Sequence, residues 1–314
     1  MRGAAWLGLG AAVGLTIASS CIAVPARCDT LDSAHQEVTL LSYNVHGLFR
    51  LAAKDSPRNR MPTIGWLANK YDVVLLQEDF EFPDVIEQQM ERARRYAGNG
   101  IGADPLLLFL KILTLPLTLP IPRFSPPYGS GLSTYVPYGM AVPGASVRRP
   151  YNRCAGWFSS QNDCWARKGY LMVRLRAPDG AEVDVYNTHI ESGSGRPSLD
   201  SRRHNFDTLA QGVERYSSGR AIVIAGDFNV DYSDPGDRDI LKRFRSRLGL
   251  VDSSAAPKLA VWRERDFILF RDGDGATITI EDAGEATEFV SGNRALSDHP
   301  ALYVRMRFAA RPTP

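Results

Sequence analysis

The sequence lacks the patterns that mark several common functional classes. It has 4 cysteines and 5 histidines among 314 residues, and none of them has the spacing of a zinc site. No glycine-rich loop precedes a helix as in a nucleotide-binding fold. The net charge is only +2, so no strongly basic surface indicates nucleic acid, although a nuclease does not require one. These absences argue against a zinc or nucleotide-binding protein and mildly against a nuclease.

The chain also lacks an internal repeat or a low-complexity linker that would divide it. Its composition, 44% hydrophobic and 23% charged, is that of an ordinary globular protein. A chain of this length can bury a sizeable core. We therefore expect one large domain, at residues 36–310.

The first 26 residues have the composition of an export signal. Arg2 supplies a positive charge, residues 6–18 are apolar and uncharged, and small residues follow. The apolar run is shorter than a typical membrane span. Cleavage before Cys21, as in a bacterial lipoprotein, competes with ordinary signal cleavage after residues 24–26, and a retained anchor is the third alternative. We expect an exported protein that is secreted, periplasmic or lipid-anchored.

Export would permit a disulfide, and only one pair of cysteines lies close together inside the expected domain. Cys154 and Cys164 are predicted to staple a short loop, with two unpaired buried thiols as the alternative. By the chain-entropy model so short a loop would contribute about 2 to 3 kcal/mol. Cys28 has no evident partner if Cys21 is removed or lipidated.

Apolar runs of strand length alternate with helical patterns from residue 38 onward. This alternation predicts an α/β fold in layers, with helices on the outside. The predicted helices are 62–70, 84–97 and 198–216. The predicted strands are 38–43, 73–77, 132–136, 169–176, 182–188, 221–225, 267–270 and 301–307.

Residues 101–127 do not fit this pattern, because they form an apolar stretch that prolines interrupt. The prolines exclude a regular membrane-spanning helix. The segment could instead enter a membrane interface or form an apolar lip beside the site, since exposed apolar patches mark contacts. The alternative is an insertion that packs on its own domain.

Polar residues follow five apolar runs at the point where each predicted strand ends. The runs are LLSYNVHG, VVLLQED, VYNTHIESG, AIVIAGDFN and ALSDHPALYV. Asp227 and Asn229 are two residues apart, so at a strand end both side chains leave from one face. Such an arrangement suits a hard metal ion or a phosphate.

The polar residues occur in a definite order: Asn44, Glu78, Asn187 with His189, Asp227 with Asn229, Asp266, and Asp298 with His299. This ordered set resembles the endonuclease/exonuclease/phosphatase superfamily, the DNase I-like metal-dependent phosphoesterases, over roughly residues 38–307. The resemblance implies a four-layer sandwich of two packed mixed β-sheets flanked by helices. It also implies a site at one edge of the sandwich, where the loops converge.

Hydrolysis of a phosphodiester requires neutralisation of the phosphate charge, which a divalent cation supplies. We predict Glu78 as the main ligand, because carboxylate oxygens favour Mg²⁺ or Mn²⁺ over softer metals. We expect Asn44 to support the ion or the phosphate. Asp298 is predicted either to bind a second ion or to tune His299. We expect His46 near the catalytic set but outside it.

His299 is the candidate base, with Asp266 as its orienter, because an imidazole that accepts a proton needs its other nitrogen fixed by an acceptor. The resemblance places His189 on the opposite side of the phosphate, as a hydrogen-bond donor or as the acid for the leaving alkoxide. It implies that Asp227 and Asn229 orient the attacking water and hold the phosphate. The sequence does not decide which histidine is acid and which is base.

Three features favour a phospholipid substrate: the export signal, the apolar stretch at 101–127, and the aromatic cysteine-flanked loop that precedes Lys168-Gly169. A Lys-Gly pair followed by a strand resembles neutral sphingomyelinases, whose products are ceramide and phosphocholine. We therefore expect a monomeric Mg²⁺-dependent phosphodiesterase with membrane-surface contact through 101–127. An extracytoplasmic nuclease acting on nucleic acid and a non-catalytic lipid- or protein-binding module are the alternatives.

Overall fold

The computed structural model describes residues 36–48, 57–98, 129–157, 160–255 and 264–311. All of these residues belong to one unit, Ser33–Pro314. The predicted export signal, Cys21, Cys28 and the apolar stretch at 101–127 lie outside the described residues.

Helices and strands alternate along the described part of the chain. The strands are β1 (Gln36–Asn44), β2 (Val73–Gln77), β3 (Ala93–Ala97), β4 (Ser133–Pro137), β5 (Ala141–Pro150), β6 (Gly169–Arg176), β7 (Glu182–His189), β8 (Ala221–Asp231), β9 (Val251–Asp252), β10 (Glu264–Arg271), β11 (Ala276–Glu285), β12 (Val290–Ser291), β13 (Arg294–Ala295) and β14 (Leu302–Ala310). The α-helices are α1 (Pro57–Ala68), α2 (Pro83–Glu87), α3 (Arg196–Tyr216) and α4 (Pro235–Leu248). Short 3₁₀ turns occupy Ser160–Trp165 and Ser253–Ala255.

Two six-stranded sheets contain most of these strands. The first sheet has the order β11-β14-β1-β2-β4-β3, and the second has the order β5-β6-β7-β8-β10-β9. Both are mixed, because β1 pairs with β2 and β7 pairs with β8 in parallel, whereas the other described pairs are antiparallel. The strands β12 and β13 form a separate small ribbon.

Side chains that alternate along each strand fill two different layers of the core. In β1, Leu40 packs in a cluster that includes Val173 and Val223 of the second sheet, whereas Leu41 packs in the cluster under α1. A third cluster joins α3 and α4 to the outer face of the second sheet. Each sheet is therefore covered on both faces, which explains why its central strands are continuous apolar runs. The predicted four-layer sandwich is confirmed.

The helix α4 shows how local sequence sets an element's ends. Asp234 caps its N-terminus by accepting hydrogen bonds from the backbone N–H groups of Gly236 and Asp237, and Pro235 occupies the first turn. Gly249 ends it with a φ of 67°, a left-handed conformation that glycine adopts at low cost. The sequence analysis does not predict this helix.

The helix predicted at 84–97 is wrong. The helix α2 ends at Glu87, and residues Ala93–Ala97 form β3, an edge strand that pairs antiparallel with β4. The charged stretch has good helix-forming residues, but pairing with β4 satisfies its backbone groups, so tertiary context overrides the local preference. The helix predicted at 62–70 begins earlier, at Pro57.

The strands β5 and β11, which the sequence analysis does not predict, lie at sheet edges. Their side chains are largely exposed or half-buried, so they carry no strong apolar pattern.

Cys154 and Cys164 form a disulfide with their Cα atoms 5.3 Å apart, as predicted. The bond closes the loop that carries Asp163. None of the described helices is long and apolar enough to cross a membrane.

Candidate active site

The polar residues of the sequence motifs meet at one edge of the sandwich. Asn44 ends β1 beside Gln77 of the parallel strand β2, and Glu78 follows directly. In the second sheet, His189 ends β7 opposite Asp227 of β8, and Asp266 of β10 pairs with the same Asp227. The strand register therefore brings these side chains together without any long loop.

Asn44 joins the contributions of the two sheets. Its Nδ2 donates to Oε1 of Glu78 at 3.1 Å and to Oδ2 of Asp227 at 2.9 Å. Nε2 of His189 lies 3.4 Å from Oδ2 of Asp227 and 3.9 Å from Oε1 of Glu78. One ligand atom each from Glu78, His189 and Asp227 lie within 4.8 Å of one another. This group has the composition and the spacing of a cation site.

The chemistry of Glu78 fits a hard cation. Its Oε2 is buried and accepts no hydrogen bond from any described residue. Burial raises the pKa of Glu78, and the hydrogen bond from Asn44 offsets this only in part. A buried carboxylate oxygen without a donor is stabilised by a cation. The oxygen atoms of Glu78 and Asp227 are donors that Mg²⁺ and Mn²⁺ prefer.

The second polar cluster contains Asp266 and His299. Oδ2 of Asp266 lies 2.7 Å from Nδ1 of His299, and Nε2 of His299 lies 3.8 Å from Oδ2 of Asp227. Burial by itself would lower the pKa of His299, but the hydrogen bond to Asp266 and the charge of Asp227 outweigh it and raise the pKa to about 9. The contact predicted between Asp266 and His299 is present.

The other imidazole has the opposite electrostatic environment. Burial lowers the pKa of His189 well below its usual value, and the positive charges of Lys168 and His299 lower it further. Its Nδ1 is buried and has no hydrogen-bond partner among the described residues, whereas Nε2 faces two carboxylates. We infer that the proton of this neutral imidazole is on Nε2.

Asn229 stabilises the turn after GDF. Its backbone N–H donates to Oδ1 of Asp227 at 2.9 Å, and its Nδ2 donates to the carbonyl of Ile190 at 3.0 Å. Its side chain therefore links β8 to the chain that follows His189. Its predicted role in holding the phosphate stays a prediction.

Asp298 lies at the exposed side of the site, away from Asp266. Its Oδ1 is 3.3 Å from Nδ1 of His46, whose Nδ1 is 3.6 Å from Oε2 of Glu78. The structure thus places His46 between two predicted cation ligands, closer to the chemistry than the sequence indicated. Whether Asp298 binds a second ion or tunes His299 stays a prediction.

The site concentrates unusual backbone conformations. Among the described residues, positive φ at a residue other than glycine occurs at His46, Glu78, Asn229 and Arg265, with values from 48° to 56°. The first three belong to the site, and Arg265 precedes Asp266 at an irregularity in the pairing of β10 with β8. Left-handed residues of this kind cost free energy that the surrounding structure must supply, and they cluster at functional sites.

Two polar positions of the motifs, Gln77 and Asn187, have structural roles. Gln77 donates from Nε2 to Oδ1 of Asn187 at 2.8 Å, and Asn187 donates to the carbonyls of Leu76 and Ser133, each at 3.0 Å. Both side chains are fully buried. They join the two sheets directly behind the site and do not reach it.

A buried ionic network behind His189 is not predicted by the sequence analysis. Nζ of Lys168 lies 2.6 Å from Oδ1 of Asp163 and donates to the carbonyl of Ile190 at 3.1 Å. Asp163 also accepts from the N–H and hydroxyl of Ser192. Burial, with Asp163 nearby, raises the pKa of Glu191 to about 9. The sequence signals for this network are Lys168 of the Lys-Gly pair and Glu191 of VYNTHIESG. Neither motif indicates that the two side chains lie close together.

Arg60 of α1 is a second residue that the sequence did not indicate. Its guanidinium donates to the carbonyls of Val45, His46 and Leu296. These contacts join the turn after β1 to the segment that leads to Asp298 and His299.

The family model for the endonuclease/exonuclease/phosphatase family matches residues 41–299. The chain belongs to this family. The resemblance expected from the ordered motifs is confirmed.

Sphingomyelinases of Mycobacterium tuberculosis and Mycobacterium bovis are 29% identical to the chain over 297 residues. The alignment covers 89% of this chain and 54% of each relative, so the chain spans about half the length of the curated relatives it matches.

Solved structures of low identity share the fold. A mutant of beta toxin from Staphylococcus aureus with bound magnesium ions matches with a TM-score of 0.59 at 16% identity, over 86% of this chain and 99% of that chain. Sphingomyelinase C from Streptomyces griseocarneus matches with a TM-score of 0.56 at 16% identity, over 86% and 99%. At this identity the likeness establishes the architecture alone.

Proposed function

We propose that the protein is an exported Mg²⁺-dependent phosphodiesterase that cleaves sphingomyelin-type phospholipids and releases phosphocholine, with residues 36–310 as its catalytic domain. The position of Asp227 carries this proposal. Its Oδ2 accepts from Asn44, which also holds Glu78, and lies near the imidazoles of His189 and His299. The proposed ligand Glu78 and the imidazoles of His189 and His299 therefore lie around the single carboxylate of Asp227.

Mg²⁺ held by Glu78 and Asp227, with Asn44 fixing both carboxylates, would neutralise the phosphate charge and polarise its oxygens. Asp266 accepts a hydrogen bond from the Nδ1–H group of His299. Nε2 is therefore the nitrogen that takes a proton from the attacking water. The same carboxylate stabilises the imidazolium that results. With its pKa raised to about 9, His299 is mostly protonated at neutral pH, and the positive charge of a cation held by Asp227 would lower that pKa towards the range in which the ring accepts a proton.

His189 supplies a hydrogen bond to the reacting phosphate. Its Nε2 is directed at the carboxylates of the site, and its lowered pKa keeps the ring neutral at neutral pH. A neutral imidazole that donates from Nε2 stabilises charge on a phosphoryl oxygen as it develops. Asn229 and Asp227 are proposed to hold the phosphate and orient the water.

The comparisons support the choice of substrate and metal. The curated relatives are named sphingomyelinases, and a solved structure of the same fold contains magnesium ions. The disulfide between Cys154 and Cys164 supports export, because such bonds persist in oxidising compartments.

A substrate panel tests the proposal. Sphingomyelin, phosphatidylcholine, an inositol phosphate, DNA and RNA are each incubated with the protein in Mg²⁺ and in EDTA. We expect release of phosphocholine from sphingomyelin that EDTA abolishes. Cleavage of DNA or RNA without cleavage of either lipid would replace the lipid enzyme by a nuclease.

Export is tested separately. The protein is expressed in a bacterial host, and mass spectrometry determines the N-terminus of the extracytoplasmic form. We expect a mature chain that lacks the first 20 to 26 residues. A full-length chain retained in the cytoplasm would refute export and leave the proposed chemistry in place.

A further inference from the structure

A groove of about 500 Å³ lies along the outer side of α4, outside the site described above. Its described lining includes three cations, Arg238, Lys242 and Arg245, and no carboxylate. The cations are four and three residues apart, so they lie on one face of the helix. Tyr232 and Leu250 line the same groove.

Among the described residues, a carboxylate approaches only one of the three cations on this face. The guanidinium of Arg238 donates to the backbone carbonyls of Tyr232 and Ser233, which carry no net charge. Arg245 is 4.0 Å from the buried Asp252, and Lys242 forms no ion pair with a described residue. The groove therefore presents a row of positive charge to solvent.

Other cations of α4 differ in this respect. Arg243 pairs with Asp239 at 2.7 Å, and Arg247 pairs with Glu214 at 2.8 Å. Positive charge is thus matched by carboxylates on this part of the helix, whereas Arg238 and Lys242 in the groove have no carboxylate partner among the described residues. The two pairs provide a natural internal control.

The groove begins at the edge of the sandwich that holds the active site. Tyr232 follows β8, which carries Asp227 and Asn229, and its ring centroid is 5.9 Å from that of Phe267, the residue after Asp266. From Arg238 to Arg245 the helix rises about 10 Å, away from the site. Anions bound along the groove would therefore form a row that starts beside the end of the strand that carries Asp227 and Asn229.

We propose that this groove binds the phosphate headgroups of anionic phospholipids in the bilayer that presents the substrate. The role in substrate presentation rests on the proposed lipid substrate, whereas the binding itself does not require catalysis. A short row of cations on one face of a helix matches a negatively charged membrane surface. Each Lys or Arg near such a surface strengthens binding several-fold.

The test measures binding of the full chain to vesicles in EDTA, so that no turnover occurs. Vesicles of phosphatidylcholine alone are compared with vesicles that also contain phosphatidylglycerol, by flotation, at low and high salt. We expect a preference for the anionic vesicles that high salt removes. The double variant Arg238→Gln/Lys242→Gln should bind them about 30-fold more weakly than the wild type.

The matched control is the double variant Arg243→Gln/Arg247→Gln, which removes the same charge from the same helix. It should retain most of the binding, because its two cations are already paired. Equal losses of vesicle affinity in both double variants would show that net charge alone governs binding, and would overturn the proposal. Circular dichroism confirms folding, and the single variant Lys242→Glu, at an exposed position, repeats the test if a double variant unfolds.

Two further outcomes separate this inference from the proposed function. Binding of anionic vesicles without cleavage of sphingomyelin would refute the function and leave the groove assignment standing. Cleavage of sphingomyelin without any preference for anionic vesicles would refute the groove assignment and leave the proposed function standing. If an oligonucleotide, and not the vesicles, loses affinity on Arg238→Gln/Lys242→Gln, the groove binds a different polyanion and the proposal is wrong.

Discussion

The two sheets of the sandwich make different contributions to the site. The first sheet supplies Asn44 and Glu78 at the ends of β1 and β2, and the second supplies His189, Asp227 and Asp266. Asn44 and Glu78 of the first set are suited to hold a cation together with Asp227 of the second set, whose other members, His189 and Asp266, direct protons. Neither sheet carries a complete site, so the chemistry exists only where the two sheets pack.

One residue crosses this division. His299 precedes β14 of the first sheet, yet its Nδ1 contacts Asp266 of the second sheet at 2.7 Å. Asp227 is the other point of contact, since it accepts from Asn44 of the first sheet. The comparison teaches that cation binding and proton transfer should be separable by mutation, with Glu78 serving the first and His299 with Asp266 serving the second.

The largest expected effect is on the first sheet. Glu78→Gln removes the negative charge of the proposed main ligand. At a Mg²⁺ concentration that saturates the wild type, we expect the rate of sphingomyelin cleavage to fall about 10³-fold. Affinity for Mg²⁺, measured by calorimetry, should fall as well. If Glu78→Gln leaves the Mg²⁺ affinity unchanged, Glu78 is not a cation ligand and the role assigned to it is wrong.

A variant at His299 sharpens the same comparison. We expect His299→Asn to lower kcat by about 10²-fold to 10³-fold, because proton transfer is lost while the cation ligands remain. Mg²⁺ affinity should stay within about threefold of the wild type. Asp266→Asn should reproduce part of the loss, since Asp266 acts through His299. A Mg²⁺ affinity that falls as far as in Glu78→Gln would assign His299 to the cation site instead.

A third variant tests the junction between the sheets. Asn187→Ala leaves Gln77 and two backbone carbonyls without their buried partner, and we expect the free energy of unfolding to fall by about 3 kcal/mol. Urea denaturation measures the change. Asn152→Ala, at an exposed asparagine, is the control and should change stability by less than about 0.5 kcal/mol.

The smallest effect concerns pH and the network behind His189. Burial raises the pKa of Glu191 to about 9, so between about pH 4.5 and 9 the folded state keeps a proton that the unfolded state loses. This group therefore makes the wild type less stable as pH rises, by at most about 1.4 kcal/mol per pH unit. Glu191→Gln should flatten the dependence in urea denaturation. The exposed Glu91→Gln should not, and equal slopes in wild type and Glu191→Gln would contradict the burial argument.

Much of the architecture follows from local patterns. Runs such as VVLLQ are buried on both faces, and their apolar continuity was enough to predict central strands. Edge elements were missed or assigned wrongly, because β3, β5 and β11 are partly exposed and carry no strong period. Residues 93–97 form a strand only because β4 lies beside them.

The site, like the fold, is predicted only in part from the sequence. Order and residue type indicated Asn44, Glu78, His189, Asp227, Asn229, Asp266, Asp298 and His299 as a set. They did not indicate that Asn187 faces the junction between the sheets, or that His46 lies between Glu78 and Asp298. Those facts depend on the register of β1 with β2 and on backbone conformations that residue type does not set.

The amino-acid sequence by itself determined the apolar strands, the family and the list of reactive side chains, because each is written in residue type and local order. Only the tertiary structure decided which carboxylate meets which imidazole, and so the opposite pKa shifts of His189 and His299. It also decided that Arg238 and Lys242 of α4 have no carboxylate partner among the described residues. Distances and burial between residues far apart in the chain govern these properties, and they exist only after the sheets pack.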